Sequence, residues 1–142
     1  MLAKLSLCAA VLLVSEVRAE TPQASPDEKV AKLIAIERNI IDYTNQERTR
    51  YGLDPLKMDP QLVRSARRHA IWMTQNRSLQ HTREAVAENI AMGQRDSAEA
   101  VGDWMNSPGH RANILNSRYR RIGVAAYRTP EGTIYWCQQF RF

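Results

Sequence analysis

From Ile122 onward the apolar residues no longer recur at helical spacing but alternate along the chain. Two β-branched and aromatic runs, Ile122 to Tyr127 and Thr133 to Phe142, flank the turn sequence Thr129-Pro130-Glu131-Gly132 and predict an antiparallel hairpin. Along the second run Ile134, Trp136 and Phe140 face one way, while Tyr135 and Cys137 face the other. Both faces are therefore substantially apolar, and a sheet of that kind needs helices on both sides. Val86 to Met92 is the best candidate for a third strand. Trp104 and Trp136 read as core, and Gly93 and Gly123 as turn or close-packing positions.

The helices precede the hairpin. Ser25-Pro26-Asp27-Glu28 combines an N-cap serine, a proline at the first position and a closing glutamate. Val30, Leu33, Ile34, Ile40 and Ile41 follow at helical spacing, and Gly52 stops the helix after Tyr51. Leu53 to Met58 reads as an extended link. Asp59-Pro60 starts a second helix with Leu62, Ala66, Ala70 and Met73 on one side. Asp96 or Ser97 opens a third, with Ala98, Val101, Trp104 and Met105 on one side, and Ser107-Pro108 a short fourth ending near Leu115. Ser65, Ser97 and Ser107 read as surface or capping residues.

The chain has 142 residues, sufficient for one domain, with 20 basic and 15 acidic side chains and two cysteines. Lys4, the apolar run Leu5 to Val14 and the small-residue site Val17-Arg18-Ala19 predict a secretory signal over residues 1–19. That run is too short for a permanent transmembrane helix. A short flexible lead-in, residues 20–25, then precedes a domain over 26–142. Removal of the signal leaves 123 residues with a net charge of +4 and only Cys137, which is expected to be buried. The basic clusters, Arg67-Arg68 and Arg118, Arg120, Arg121, lack interleaved aromatics. They read as a solvated face with anionic envelope surfaces as weak partners, not as a nucleic-acid track.

There are three histidines, His69, His81 and His110. His69 sits beside the apolar stripe of the second helix and reads as packing or partial exposure. His81 lies in a loop, with Glu88 seven residues later at the entry to a strand. His110 lies near the start of the fourth helix, which favours the neutral imidazole that binds metal. No pair has the i, i+4 separation that places two ligands on one helical face, so any convergence must come from the tertiary fold.

The wording around these residues is more informative. Glu88-Asn89-Ile90-Ala91, Trp104 to Leu115 and Ile122-Gly123-Val124 resemble the CAP superfamily of cysteine-rich secretory, antigen 5 and pathogenesis-related 1 proteins, in its short bacterial SCP-like branch. Asn45 and Arg48 are similar to the family's N-x-x-R, followed by Gly52-Leu53 and Pro55-Leu56. The resemblance spans residues 36 to 142. It implies an α+β fold, an α-β-α sandwich with a three-stranded antiparallel sheet between helices. It also implies a cavity lined by His81, Glu88 and His110, sometimes holding zinc or magnesium. The family's second cavity glutamate falls on Ser107. Asn89 and Asn113 are expected to position loop backbone, and Arg111 to bridge to a carboxylate near the cavity.

Two imidazoles and a carboxylate are able to hold a divalent ion with an open position for water. The sequence therefore supports a secreted or periplasmic module that binds an envelope component, a small ligand or a protein. The alternative is a metal-dependent hydrolase acting on peptide or cell-wall material. A third possibility is a polar packing network without a ligand. No catalytic residue is assigned.

Overall fold

The computed structural model describes residues 34–142. The expected signal segment, the lead-in and the Ser25-Pro26 helix start lie outside the described residues. Helix α1 is Ala35–Arg50. Ile34 is extended, with φ −74° and ψ 162°, and 55% exposed, so it caps this helix and does not join its apolar stripe. The Glu37 carboxylate accepts from the Ile34 N–H at 3.1 Å, which favours a start here. At the other end Gly52 takes φ +71°, and the Gly52 and Leu53 N–H groups donate to Thr49 and Arg48 carbonyls, closing the helix as expected.

Helix α2, Pro60–Asn76, is capped by Asp59, which accepts from the N–H groups of Gln61 and Leu62. Helix α3, Ser97–Asn106, is capped by Asp96, and α4 is Pro108–Ile114. The buried side of α3 includes Ala100, Val101, Trp104 and Met105, whereas Ala98 is exposed, contrary to the expected stripe. Ser65 and Ser97 are buried, not surface or capping groups. They donate to Glu84 at 2.7 Å and to the Ile36 carbonyl at 3.1 Å.

The strands are β1 (Lys57–Met58), β2 (Ala87–Met92), β3 (Arg121–Arg128) and β4 (Ile134–Arg141). They form one four-stranded sheet in the order β1-β3-β4-β2, not three strands. β3 and β4 make the expected hairpin and β2 pairs antiparallel to β4, while β1 lies parallel to β3. A strand of two residues has no period of its own, which is why β1 reads in the sequence as part of an extended link. Asn45 holds that link in register, its side chain donating to the Leu56 carbonyl and accepting from its N–H.

The sheet carries one core on each face. Ile134, Trp136 and Phe140 pack with Ile40, Ile41, Val101 and Trp104 from α1 and α3. Tyr135 and Cys137 pack with Ala66, Ala70 and Met73 from α2. The α-β-α layering follows. α2 lies so close that a Cβ on Gly123 would come 2.1 Å from the Leu62 backbone carbon. The apolar faces are interrupted at one place, where Glu88 and Asn89 on β2 oppose Gln139 and Gln138 on β4.

Candidate functional site

Alternation on β2 sends Glu88 and Asn89 to opposite faces, and each builds a polar cluster. Toward α2, the Glu88 side chain is only 3% exposed and carries four protein donors. Its Oε1 accepts from His81 Nδ1 at 2.9 Å and from the Thr82 N–H at 2.9 Å. Its Oε2 accepts from Gln139 Nε2 at 2.9 Å and from the Cys137 thiol at 3.5 Å. The His81 proton therefore sits on Nδ1, and Nε2 keeps its lone pair in the neutral ring. That ring is 60% exposed. Burial pushes the Cys137 thiol well above its ordinary pKa, and the Glu88 charge adds to this, so it is not a reactive nucleophile. Gln139 Oε1 is a buried acceptor with no donor among the described residues.

His69 belongs to the same cluster, which a packing role beside the apolar stripe does not anticipate. Its Nε2–H donates to the Gln80 carbonyl at 2.7 Å, and the same nitrogen lies 3.8 Å from Glu88 Oε1. Its ring stacks on Trp72 at 5.9 Å with 6° between planes. Ser65, His69 and Trp72 recur at four and three residues, one flank of a helix, and that spacing was the available signal. Ser65 and Arg68 both bind Glu84, tying the loop after α2 back to the helix. The result is a cleft of about 430 Å³ lined by His69, Trp72, Gln80, His81, Thr82 and Arg83.

His110 approaches from α4. Burial lowers its pKa below the ordinary 6.5, and the neighbouring His81 charge lowers it further, so the ring is neutral at pH 7. The direction is the expected one, but the causes are burial and His81, not the helix end. The structure thus joins His81 to Glu88 directly and brings His110 within electrostatic reach of His81. Among the described residues no three His, Cys, Asp or Glu side chains are grouped to hold a metal ion. Ser107 occupies the N-cap position of α4 without a side-chain capping bond.

On the opposite face Asn89 donates to the His110 carbonyl and to Gln138 Oε1, and Asn113 donates to Asn89 Oδ1. Both asparagines position backbone, as expected. Among the described residues Arg111 does not bridge to a carboxylate. It donates to the Tyr51 hydroxyl at 2.7 Å and lies over that ring at 4.9 Å.

A two-faced sheet under α2 on one side and α1, α3 and α4 on the other, with a histidine–glutamate cluster at the β2 edge, defines a CAP-type sandwich. Residues 41–140 match the CAP, cysteine-rich secretory protein, family, and the chain belongs to it. It is similar to the uncharacterised Bacillus subtilis protein YkwD, 37% identical over 123 residues, which cover 75% of this chain and 47% of that one. It is 32% identical over 137 residues to the Bacillus subtilis membrane protein YlbC, covering 84% and 38%. The chain thus spans less than half of these relatives. An extracellular SCP-domain protein of Bacillus anthracis superposes with TM-score 0.68 at 27% identity, covering 86% of this chain and 45% of that one. An outer surface protein of Borrelia burgdorferi shares the fold, with TM-score 0.66 at 23% identity, covering 75% and 94%. Among the described residues no helix is long and apolar enough to cross a membrane.

Proposed function

We propose that the protein is an extracellular binding module of the cell envelope, with the cleft beside α2 as its recognition site. The observation that carries this reading is the state of Glu88. Both carboxylate oxygens are taken by protein donors, so the carboxylate serves as a fixed support and not as a free acid or base. The cleft presents an exposed imidazole, the half-exposed Trp72 and Arg83 to a ligand. An amphipathic ligand with an apolar face and a polar edge matches that lining. The similarity to an outer surface protein and to an extracellular protein supports the location.

A divalent ion, zinc or magnesium, belongs to the same proposal. His81 Nε2 and the neutral His110 ring are the donors that suit it, with Glu88 orienting His81 from behind. Imidazole donors favour zinc over magnesium. When bound, the ion would supply a positive centre for an oxygen of the ligand.

One feature favours the hydrolase as a second reading. A carboxylate that fixes the tautomer of an exposed imidazole is also the arrangement that supports a general base. Calorimetric titration with zinc, and thermal shifts against muropeptides, glycans and acyl amphiphiles, test both readings. At least one ligand class is expected to raise the midpoint, and Trp72→Ala and His81→Ala are expected to abolish that rise while remaining folded. Zinc binding unchanged in His81→Ala plus His110→Ala sinks the metal assignment. Turnover that disappears in a folded Glu88→Gln variant moves the assignment to the hydrolase. If no ligand stabilises the protein and His81→Ala merely lowers its midpoint, the cluster is packing alone.

A further inference from the structure

The end of the sheet near the start of α2 carries a charge arrangement that strand pairing does not favour. Lys57, Arg121 and Arg141 are direct cross-strand partners on β1, β3 and β4. Strand spacing puts the backbones of these three basic residues in one line at intervals of about 4.8 Å. Like charges directly opposite each other destabilise a sheet. All three residues are exposed. Among the described residues, the carboxylate paired with this line is Asp59, whose Oδ2 accepts from Arg141 Nη2 at 2.7 Å. Asp59 also caps α2 through Oδ1, so its charge is shared with two backbone N–H groups. Arg121 and Arg141 line a groove of about 540 Å³ with Met58, Asp59, Pro60, Gln61 and Arg64. Arg141 also donates to Gln61 Oε1 there, and Lys57 lies beside the groove as the cross-strand partner of Arg121.

We propose that this end of the sheet binds a linear phosphodiester polyanion of the polyol phosphate type, laid along the Lys57–Arg121–Arg141 row beside the groove. A row of basic residues on neighbouring strands matches a repeated charge better than a single ion, and the Arg121 guanidinium fork suits the two free oxygens of a phosphodiester. Among the described residues no aromatic ring lines the groove, so neither a sugar ring nor a nucleobase gains a stacking face there. The nearby Phe142 is 66% exposed, but its ring is flanked by Arg118 at 4.9 Å and Tyr119 at 5.4 Å. The site is separate from the cleft, because His69 lies about 13 Å further along α2 than Pro60.

Labelled poly(glycerol phosphate), titrated into the full chain by fluorescence anisotropy at several salt concentrations, tests the proposal. Binding is expected to weaken steadily as salt rises. Lys57→Gln plus Arg121→Gln is expected to weaken it roughly tenfold or more and to flatten the salt dependence. The thermal midpoint of that variant stays level or rises as the cation repulsion is relieved. His81→Ala leaves this binding unchanged. The proposal is overturned by absence of binding, by equal binding in the double variant, or by a midpoint that falls with the affinity. It is also overturned if phosphatidylcholine vesicles containing phosphatidylglycerol, or an oligothymidylate, bind more tightly than the polymer.

Discussion

Arg48 has no solvent exposure and spends its donors on backbone carbonyls. Nε donates to Asp54 at 2.9 Å, and Nη1 to Ile114 at 2.7 Å and Asn116 at 2.9 Å. Burial lowers its pKa and Arg120 lowers it further, while Asp54 opposes both. A guanidinium starts so far above neutrality that it stays charged. This one side chain fastens the end of α1 to the end of α4 and the loop beyond it. Nη2 donates to the Tyr119 carbonyl at 3.5 Å, so Arg48→Met leaves four carbonyls without that donor, at about 1–3 kcal/mol for each one kept from water. A loss of about 3 kcal/mol or more is expected in urea unfolding, and a loss below about 1 kcal/mol would mean that water replaces the guanidinium. Arg48→Lys is not a rescue, because one ammonium lacks the fork. The sequence marked Arg48 as one half of a motif, yet its acceptors lie up to 71 residues away, and no local pattern encodes them.

At the scale of elements, α4 delivers a neutral imidazole to the edge of the sheet. The folded-state pKa of His110 is below its ordinary 6.5. Between those two values the unfolded chain binds more protons than the native one, so stability falls as the medium is acidified through that interval. The contribution is complete above about pH 6.5 and is lost as pH drops through the lowered value. Unfolding free energies of wild type and His110→Gln, compared from about pH 8 to about pH 5, are expected to converge on acidification. Parallel curves would remove His110 from this role. Proton linkage and any zinc affinity should share this window, because the neutral ring is the metal-binding form. The elements themselves were largely legible. Asp59-Pro60 and Asp96 cap where capping chemistry places them, and the hairpin faces separate as their alternation predicts. The extended break at Ile34 was not, because the Glu37–Ile34 contact that caps α1 falls within a run of apolar residues at helical spacing.

Across the whole molecule, a buried polar chain runs between the layers. Gln138 Nε2 donates to Thr44 Oγ1 at 2.6 Å, Asn89 donates to Gln138 Oε1 at 3.0 Å, and Asn113 donates to Asn89 at 2.9 Å. α1, β4, β2 and α4 are thereby fixed in one relative placement. Such a network is coupled, since removing one member strands its neighbour in a medium that solvates it poorly. A double-mutant cycle of Thr44→Val and Gln138→Leu is expected to give an interaction free energy of about 0.5–3 kcal/mol. Simple additivity would show that the two side chains are satisfied independently.

The sequence by itself determined the helices, the hairpin, the two apolar faces of β4 and the family motifs, because capping and periodicity are written in residues a few positions apart. It also singled out His81, Glu88 and His110, through motif wording and not through spacing. Only the tertiary structure decided that β1 adds a parallel strand, that His69 joins Glu88, and that Glu88 supports His81 with both oxygens already engaged. It alone aligned Lys57, Arg121 and Arg141 into one cationic row. Each of these depends on which distant groups the packed layers bring within about 3–5 Å, where hydrogen bonds and charge pairs act.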